Sequence, residues 1–240
     1  MLTRDLNTLA APLMAALPSA TQSWLSTLLA HPAAQQVFTA LENELFIRET
    51  PFEGPLLVCS ATRGEGRTVL ALLLAISAAG LDPSRRVLLV DGDTLHGHLG
   101  DVFGVPAAHP GLTEFVASPG ISLADAVYPT AQANLAVMTT GSNGLKPRYL
   151  APQAFERLIE TARSAYDLII VDTPAGGQNK GILSMARCVR DILLVVRYGG
   201  PTREQVQEFI AEARRAEARI LGCVLNQREY VIPNLLYGPR

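Results

Sequence analysis

The sequence predicts an α/β protein with a doubly wound, mostly parallel sheet, helices on both of its faces and further helices at the N-terminal end. Two observations carry this prediction. Short apolar runs rich in Val, Ile and Leu are continuous rather than alternating, which is typical of parallel strands buried on both faces. Helical patterns lie between these runs, and such alternation favours parallel crossover connections. The runs are 56–60, 87–90, 168–171, 192–196 and 220–225, with 134–138 as a sixth candidate strand.

The chain is predicted to have three parts. Residues 1–50 contain three apolar stripes at helical spacing and no strand pattern, which indicates an N-terminal helical segment. Two prolines and a glycine within 51–55 then interrupt the pattern and mark a boundary. We therefore expect an α/β nucleotide-binding type of domain over 51–228, followed by a short C-terminal tail over 229–240.

Three helices are predicted inside the α/β domain. Residues 68–79 are apolar nearly all round, so this helix should be packed on most of its sides. The other two helices each have one apolar face, within 155–162 and within 206–213. The stretch 139–152 is rich in Gly, Pro and Asn, and we expect a surface loop there.

Charge and hydropathy argue against two classes of protein. The formal net charge of -2 over 240 residues disfavours a protein that binds nucleic acid by attraction to its phosphates. The longest apolar run, 69–79, is about half the ~20 residues that a membrane-spanning helix needs. Three scattered cysteines without a C-x-x-C pair fit a reducing compartment. We therefore expect a cytoplasmic protein that does not itself span a membrane.

The first candidate site is the stretch Ser60–Thr68, which links the first strand to the apolar helix. A strand, a glycine loop and a helix N-terminus form a phosphate cradle, because backbone N–H groups and the positive helix end point at one anion. The usual pattern is G-x-x-x-x-G-K-[ST]. Here Ala61 replaces the first glycine and Arg67 replaces the lysine. The predicted nucleotide-binding residues of this loop are Arg63, Gly64, Glu65, Gly66, Arg67 and Thr68.

Carboxylates follow two further strands, and the carboxyl ends of such strands are where doubly wound sheets bind ligands. Asp91 and Asp93 follow the second strand, and Asp172 follows the third. We predict that Thr68, Asp91 and Asp172 hold Mg²⁺. Asp91 or Asp93 could accept a proton, and with Arg67 they are the candidate catalytic residues. Each motif alone also fits a tight turn or a helix cap, but three converging strand ends point to ATP or ADP with Mg²⁺.

Together these motifs resemble the bacterial tyrosine kinases of capsule and exopolysaccharide synthesis, a branch of the P-loop class that contains the ParA and MinD ATPases. The resemblance covers the chain from about residue 35. It implies a P-loop NTPase fold and an Asn226 that contacts adenine. It also implies a membrane polysaccharide co-polymerase as partner, which would recruit the protein to the inner face of the cell membrane. The matching segments are 60–68, 87–93, 110–116, 122–130, 166–174, 193–197 and 222–226.

Four features depart from the family pattern, and all bear on catalysis. The loop lysine is replaced, and the oligomerisation motif lacks its arginines. An Asp that the family usually carries after the third strand is missing, and the tyrosine tail is short. The residues at these places are Arg67; Gln36, Thr39 and Glu42; Gly181; and Tyr230 and Tyr237. Loss of the arginines argues against the family's usual ring and leaves self-association open.

Three functions follow from the resemblance. The first is a divergent member that binds ATP or ADP with Mg²⁺ and regulates or assists exopolysaccharide synthesis and export through the co-polymerase, with weak or no kinase activity. The second is an active autokinase that tolerates Arg67 and phosphorylates Tyr230 or Tyr237. The third is a ParA/MinD-like positioning ATPase, which is disfavoured because Thr62 stands where those proteins carry a signature lysine.

Overall fold

The computed structural model describes residues 6–142, 150–176 and 181–227. In these ranges the strands are β1 (Gly54–Ser60), β2 (Val87–Asp91), β3 (Tyr128–Pro129), β4 (Leu135–Met138), β5 (Leu168–Asp172), β6 (Asp191–Arg197) and β7 (Arg219–Asn226). The helices are α1 (Leu6–Met14), α2 (Ser19–Leu29), α3 (Pro32–Leu45), α4 (Arg67–Leu81), α5 (Leu99–Phe103), α6 (Leu112–Ala117), α7 (Leu123–Ala126), α8 (Pro152–Ala165), α9 (Gly181–Val189) and α10 (Arg203–Arg215).

The strands form one sheet in the order β3-β4-β2-β5-β1-β6-β7. Every neighbouring pair is parallel except β3 with β4, which is a two-residue antiparallel edge. The predicted doubly wound α/β fold is therefore confirmed, and the six candidate strands all form. The strand β1 lies between β5 and β6, so the loop that follows β1 starts in the middle of the sheet.

Helices cover both faces of the sheet, which is why the strand sequences are apolar without alternation. Along β1, Leu56 and Val58 join a core with α1 to α5, whereas Leu57 and Cys59 join a second core with α6 to α10. All four side chains are fully buried. Each buried leucine contributes roughly 1.5–3 kcal/mol relative to an exposed one.

The edge strand β7 corrects one expectation. Its continuous apolar run predicts burial on both faces, but Cys223 is exposed and Leu225 keeps 47% of its surface accessible. The strand β7 is at the edge of the described sheet, where fewer helices cover the faces than over the central strands.

The helix α4 is buried along its length, as the sequence predicts. Residues 70–79 are all buried, with the sheet on one side and the N-terminal helices α1 and α3 on the other. A Cβ on Gly80 would lie 2.8 Å from Leu9 Cβ, so α1 approaches α4 closely. In the same layer Ser77 donates a hydrogen bond of 2.7 Å to Glu42 of α3. Within the described ranges, no helix has the length and apolar character needed to cross a membrane.

Candidate functional site

The loop between β1 and α4 has a backbone that requires glycine at two positions. Gly64 and Gly66 have φ values of 76° and 92°, in the left-handed region. A Cβ on Gly66 would also lie 2.2 Å from Asn226 Nδ2. The first backbone hydrogen bond of α4 runs from the Leu70 N–H to the Gly66 carbonyl, so the preceding N–H groups have no acceptor inside the helix. This is the geometry of an anion cradle.

Glu65 holds this loop against the sheet. Its Oε1 accepts hydrogen bonds from the Thr62 N–H and from Thr62 Oγ1 (2.9 Å). Its Oε2 accepts the N–H of Arg197 at the end of β6 at 3.0 Å. The side chain is 1% exposed. Glu65 was predicted among the nucleotide-binding residues, and its carboxylate is fully engaged in holding the loop.

Asn226, at the end of β7, is a second anchor of the loop. Its Nδ2 donates to the Glu65 carbonyl at 2.8 Å, and its Oδ1 accepts the Gln227 N–H at 2.9 Å. Both ends of the amide thus have protein partners. A contact with adenine stays a prediction.

The predicted metal-binding residues lie together at the carboxyl ends of β2 and β5. Asp91 and Asp172 are paired in the register of these strands. Thr68 Oγ1 donates to Asp172 Oδ2 at 2.6 Å, and Asp91 Oδ2 accepts the Leu99 N–H at 3.1 Å. The other oxygens, Oδ1 of Asp91 and of Asp172, are buried and have no hydrogen-bond partner among the described residues. Such oxygens are costly to bury unless a cation or a donor reaches them.

The pKa values of these two carboxyl groups are raised. Burial, and then the neighbouring Asp172 charge, raise the pKa of Asp91 to about 7. Burial raises the pKa of Asp172 to about 6, against the opposing effects of Arg67 and the Thr68 hydrogen bond. Shifts of this size from burial and neighbouring charge are typical of functional sites. The site therefore has an excess of buried negative charge that a cation would relieve.

Arg67 turns its side chain toward these acids. Its Nη1 donates to Ser60 Oγ at 2.8 Å, its Nη2 lies 3.8 Å from Asp93 Oδ2, and its Nε lies 3.6 Å from Asp172 Oδ1. The side chain is 10% exposed. Ser60 in turn donates to the Thr62 carbonyl at 2.7 Å, which fixes the hydroxyl that Arg67 contacts.

Arg63 lies elsewhere. It is exposed and lines a separate pocket between the start of the loop, the end of β5 and α10. Thus the structure brings Arg67, Thr68, Asp91, Asp93 and Asp172 together and leaves the Arg63 side chain outside that cluster. The candidate phospho-acceptors Tyr230 and Tyr237 lie outside the described residues.

Two residues of the site were missed from the sequence. Ser60 was noted as the last residue of a strand, yet its hydroxyl holds the Arg67 guanidinium. Gly97 approaches the acidic group so closely that a Cβ would lie 2.6 Å from Asp91 Oδ2. The serine at the start of the loop motif is a usable signal for the first. Nothing in the sequence around Gly97 indicates the second.

Comparisons with known proteins identify the relatives of this chain. No family model matches it. The tyrosine-protein kinase CpsD of Streptococcus pneumoniae serotype 4 is 30% identical over 171 residues, which cover 71% of this chain and 74% of CpsD. The chain belongs to the bacterial tyrosine kinase family. The tyrosine-protein kinase Etk of Escherichia coli K12 is also 30% identical, over 172 residues that cover 71% of this chain but 23% of Etk.

Solved structures agree with this family and with the fold. The kinase domain of Escherichia coli Etk matches with a TM-score of 0.67 at 27% identity, covering 83% of this chain and 77% of that one. MinD of Pyrococcus horikoshii, solved with Mg-ADP, matches with a TM-score of 0.61 at 23% identity, covering 76% of this chain and 75% of MinD. The second match shows the fold alone.

Proposed function

We propose that this protein binds ADP or ATP at the loop before α4 and regulates or assists exopolysaccharide synthesis and export through a membrane co-polymerase, while transferring phosphate weakly or not at all. The observation that carries the proposal is the direction of Arg67. Its guanidinium, at the place of the loop lysine, faces Asp172, Asp93 and Ser60.

Nucleotide binding is supported by the loop geometry. Two glycines in the left-handed region and the N-terminus of a 15-residue helix form the cradle, and Glu65 and Asn226 hold it in place. The MinD structure with Mg-ADP shares this fold, which is consistent with a nucleotide here.

The oxygen atoms that Mg²⁺ prefers are present, although Arg67 lies close to them. No group of three or more His, Cys, Asp or Glu side chains in the described ranges is arranged to hold a metal. Mg²⁺ typically uses one or two carboxylates together with phosphates and water, so a full protein cage is not needed. Thr68 and Asp172, with Asp91 nearby, are the residues that would hold it and let it neutralise phosphate charge, but the Arg67 guanidinium, 3.6 Å from Asp172, would have to move aside. Asp91 Oδ1, which has no hydrogen-bond partner among the described residues, agrees with this use, whereas Asp172 Oδ1 already faces Arg67.

Weak phosphate transfer is inferred from the chemistry of arginine. Catalysis of phosphoryl transfer depends almost entirely on positioning and charge stabilisation. The planar guanidinium is larger than an ammonium group and makes several directed contacts. Since Arg67 already contacts Ser60 and two carboxylates, it is poorly placed to follow the developing charge on a transferred phosphate.

The pathway and the partner rest on the family. Relatives at 28–30% identity are named as tyrosine-protein kinases. The resemblance implies a co-polymerase partner that brings the protein to the inner face of the membrane. Arg63, in its pocket beside α10, is a candidate for contacts with nucleotide or partner.

An active autokinase is the second candidate, and one observation favours it. The 2.6 Å hydrogen bond between Thr68 and Asp172 keeps together a hydroxyl and a carboxylate, the two groups that hold Mg²⁺ in P-loop NTPases. In that case Tyr230 or Tyr237 would be the acceptor, and Asp91 or Asp93 would take the proton.

One assay separates the two candidates. The full chain is mixed with Mg²⁺, ATP and the cytoplasmic segment of a candidate co-polymerase, and phosphotyrosine is measured by mass spectrometry. The proposal expects the same background as in Asp172→Ala, together with measurable ADP binding in calorimetry. Phosphotyrosine that appears in the wild type and disappears in Asp172→Ala would establish the autokinase instead.

A further inference from the structure

The acidic group at the end of β2 and β5 already has a cation of its own. Three aspartates, Asp91, Asp93 and Asp172, form this group, and each residue is less than a tenth exposed. Among the described residues, Arg67 is the one arginine or lysine with ion pairs to this group, at 3.6 Å from Asp172 and 3.8 Å from Asp93. His96 also lies 3.5 Å from Asp93, but its side chain is 45% exposed. The buried positive charge of the site is therefore that of Arg67.

The guanidinium is held in this position by a specific contact. Ser60 is fully buried, and its hydroxyl accepts Nη1 at 2.8 Å while donating to the Thr62 carbonyl. The remaining nitrogens of the fork can then face Asp172 and Asp93 at the same time. A lysine has one nitrogen where Arg67 has three, so it cannot place a separate nitrogen beside Ser60, Asp93 and Asp172 as the planar guanidinium does.

A divalent cation at Asp172 would lie next to the positive charge of the Arg67 guanidinium. Arg67 Nε lies beside Asp172 Oδ1, and Thr68 donates to Oδ2, so both oxygens of the carboxylate face a positive or donor group. Like charges this close repel strongly in a site with little water. A metal ion must therefore either displace the guanidinium or bind weakly beside it.

We infer that Arg67 takes the electrostatic place of the metal, so that this site binds a nucleoside diphosphate without requiring a divalent cation. The inference rests on the proposed nucleotide site. The carboxylates that would otherwise repel the phosphates are screened by Arg67, and the loop N–H groups supply the remaining contacts.

Calorimetric titration of the full chain with ADP tests this inference. For the wild type we expect ADP affinities in Mg²⁺ and in EDTA that agree within threefold. For Arg67→Lys we expect Mg²⁺ to tighten ADP binding at least tenfold, because the carboxylates are then open to the metal. Arg187→Lys makes the same change at an exposed position of α9 and should behave as the wild type. A tenfold or larger dependence on Mg²⁺ in the wild type would overturn the inference.

A second measurement uses the metal alone. Mn²⁺ is titrated into the nucleotide-free chain and its free fraction is followed by electron paramagnetic resonance. We expect Arg67→Lys to bind Mn²⁺ at least tenfold more tightly than the wild type and Arg187→Lys, with circular dichroism confirming that all three are folded. Equal Mn²⁺ affinities would overturn the inference. If the folded wild type failed to bind ADP in either buffer, the proposed function would fall, while the Mn²⁺ titration would still decide the role of Arg67.

Discussion

The helix α4 meets buried carboxylates at two places, and they differ in kind. In its middle, Ser77 donates one hydrogen bond to Glu42, an acid 3% exposed in an otherwise apolar layer. At its first turn, Thr68 and Arg67 meet Asp172, and buried oxygens of Asp91 and Asp172 stay without a hydrogen-bond partner in the described part of the chain. The first place joins two helices. The second has unmet bonding capacity, which is what a binding site offers to a ligand.

The largest difference between the two places is expected for a substitution at Gly66, which should weaken ADP binding. Gly66→Ala places a Cβ in a left-handed residue and 2.2 Å from Asn226 Nδ2, so the Asn226 amide must give up its hydrogen bond to the Glu65 carbonyl or the loop must shift. We expect ADP affinity, measured by calorimetry, to fall at least a hundredfold.

Gly64→Ala is the matched control, because φ is 76° there but nothing lies within 4 Å of the added Cβ. It should cost about 1–2 kcal/mol of folding stability from backbone strain alone and lose less affinity. Equal losses in the two variants would show that the Asn226 contact does not shape the loop.

The pH dependence of stability should come more from Asp91 at the binding site than from Glu42 in the middle layer, because the pKa of Asp91 is raised further. The pKa of Asp91 is raised to about 7, so between about pH 4 and pH 7 the folded chain binds more protons than the unfolded chain. Stability contributed by this group is therefore present at low pH and lost as the pH rises toward 7. We expect Asp91→Asn to remove about 1–3 kcal/mol of the decline in unfolding free energy between pH 5 and pH 7.5, measured by urea denaturation.

The control for this pH experiment is Glu42→Gln. Burial also raises the pKa of Glu42, against the hydrogen bond from Ser77, so its contribution has the same sign. If the decline in unfolding free energy with pH vanished in Glu42→Gln and persisted in Asp91→Asn, the group that titrates would be Glu42 in the core and not Asp91 at the site.

The middle of α4 should affect stability without affecting binding. Glu42→Ala leaves the buried Ser77 hydroxyl without its acceptor, which costs about 1–3 kcal/mol. ADP affinity should stay within twofold, since the first turn of α4 is untouched. Thr39→Ala, half-buried on the same helix, is the matched control and should cost less. A tenfold loss of ADP affinity in a folded Glu42→Ala variant would show that the two places are coupled.

Much of the fold was predictable because the central strands are apolar on both sides. The same pattern located Asp91 and Asp172, since a carboxylate directly after a buried strand must lie at the sheet's edge. Short elements such as β3, α5 and α7 were not predicted, because two to five residues carry too little periodicity. For β7 the pattern predicted more burial than an edge strand receives.

The sequence located the candidate site, but it did not predict which way the side chains within it point. Which way Arg67 turns depends on Ser60 Oγ and on the distances to the carboxylates of Asp93 and Asp172, none of which a motif encodes. Glu42 is instructive because a signal existed. It lies four residues after Phe38 and three before Leu45, both buried, so helical spacing places it on the core face of α3. Glu42 stands at a position of the family's arginine motif, but in this fold its carboxylate accepts the hydrogen bond of Ser77.

The decisive measurement is the turnover of ATP by the wild type and by Arg67→Lys, because it reports whether Arg67 suppresses phosphate transfer. Both chains, with Asp172→Ala as background, are incubated with Mg²⁺ and ATP, and the release or transfer of the terminal phosphate is counted. We expect the wild type to stay at the level of Asp172→Ala and the Arg67→Lys variant to be at least tenfold above it. A wild type that turns over ATP as fast as Arg67→Lys, and well above Asp172→Ala, would contradict this expectation.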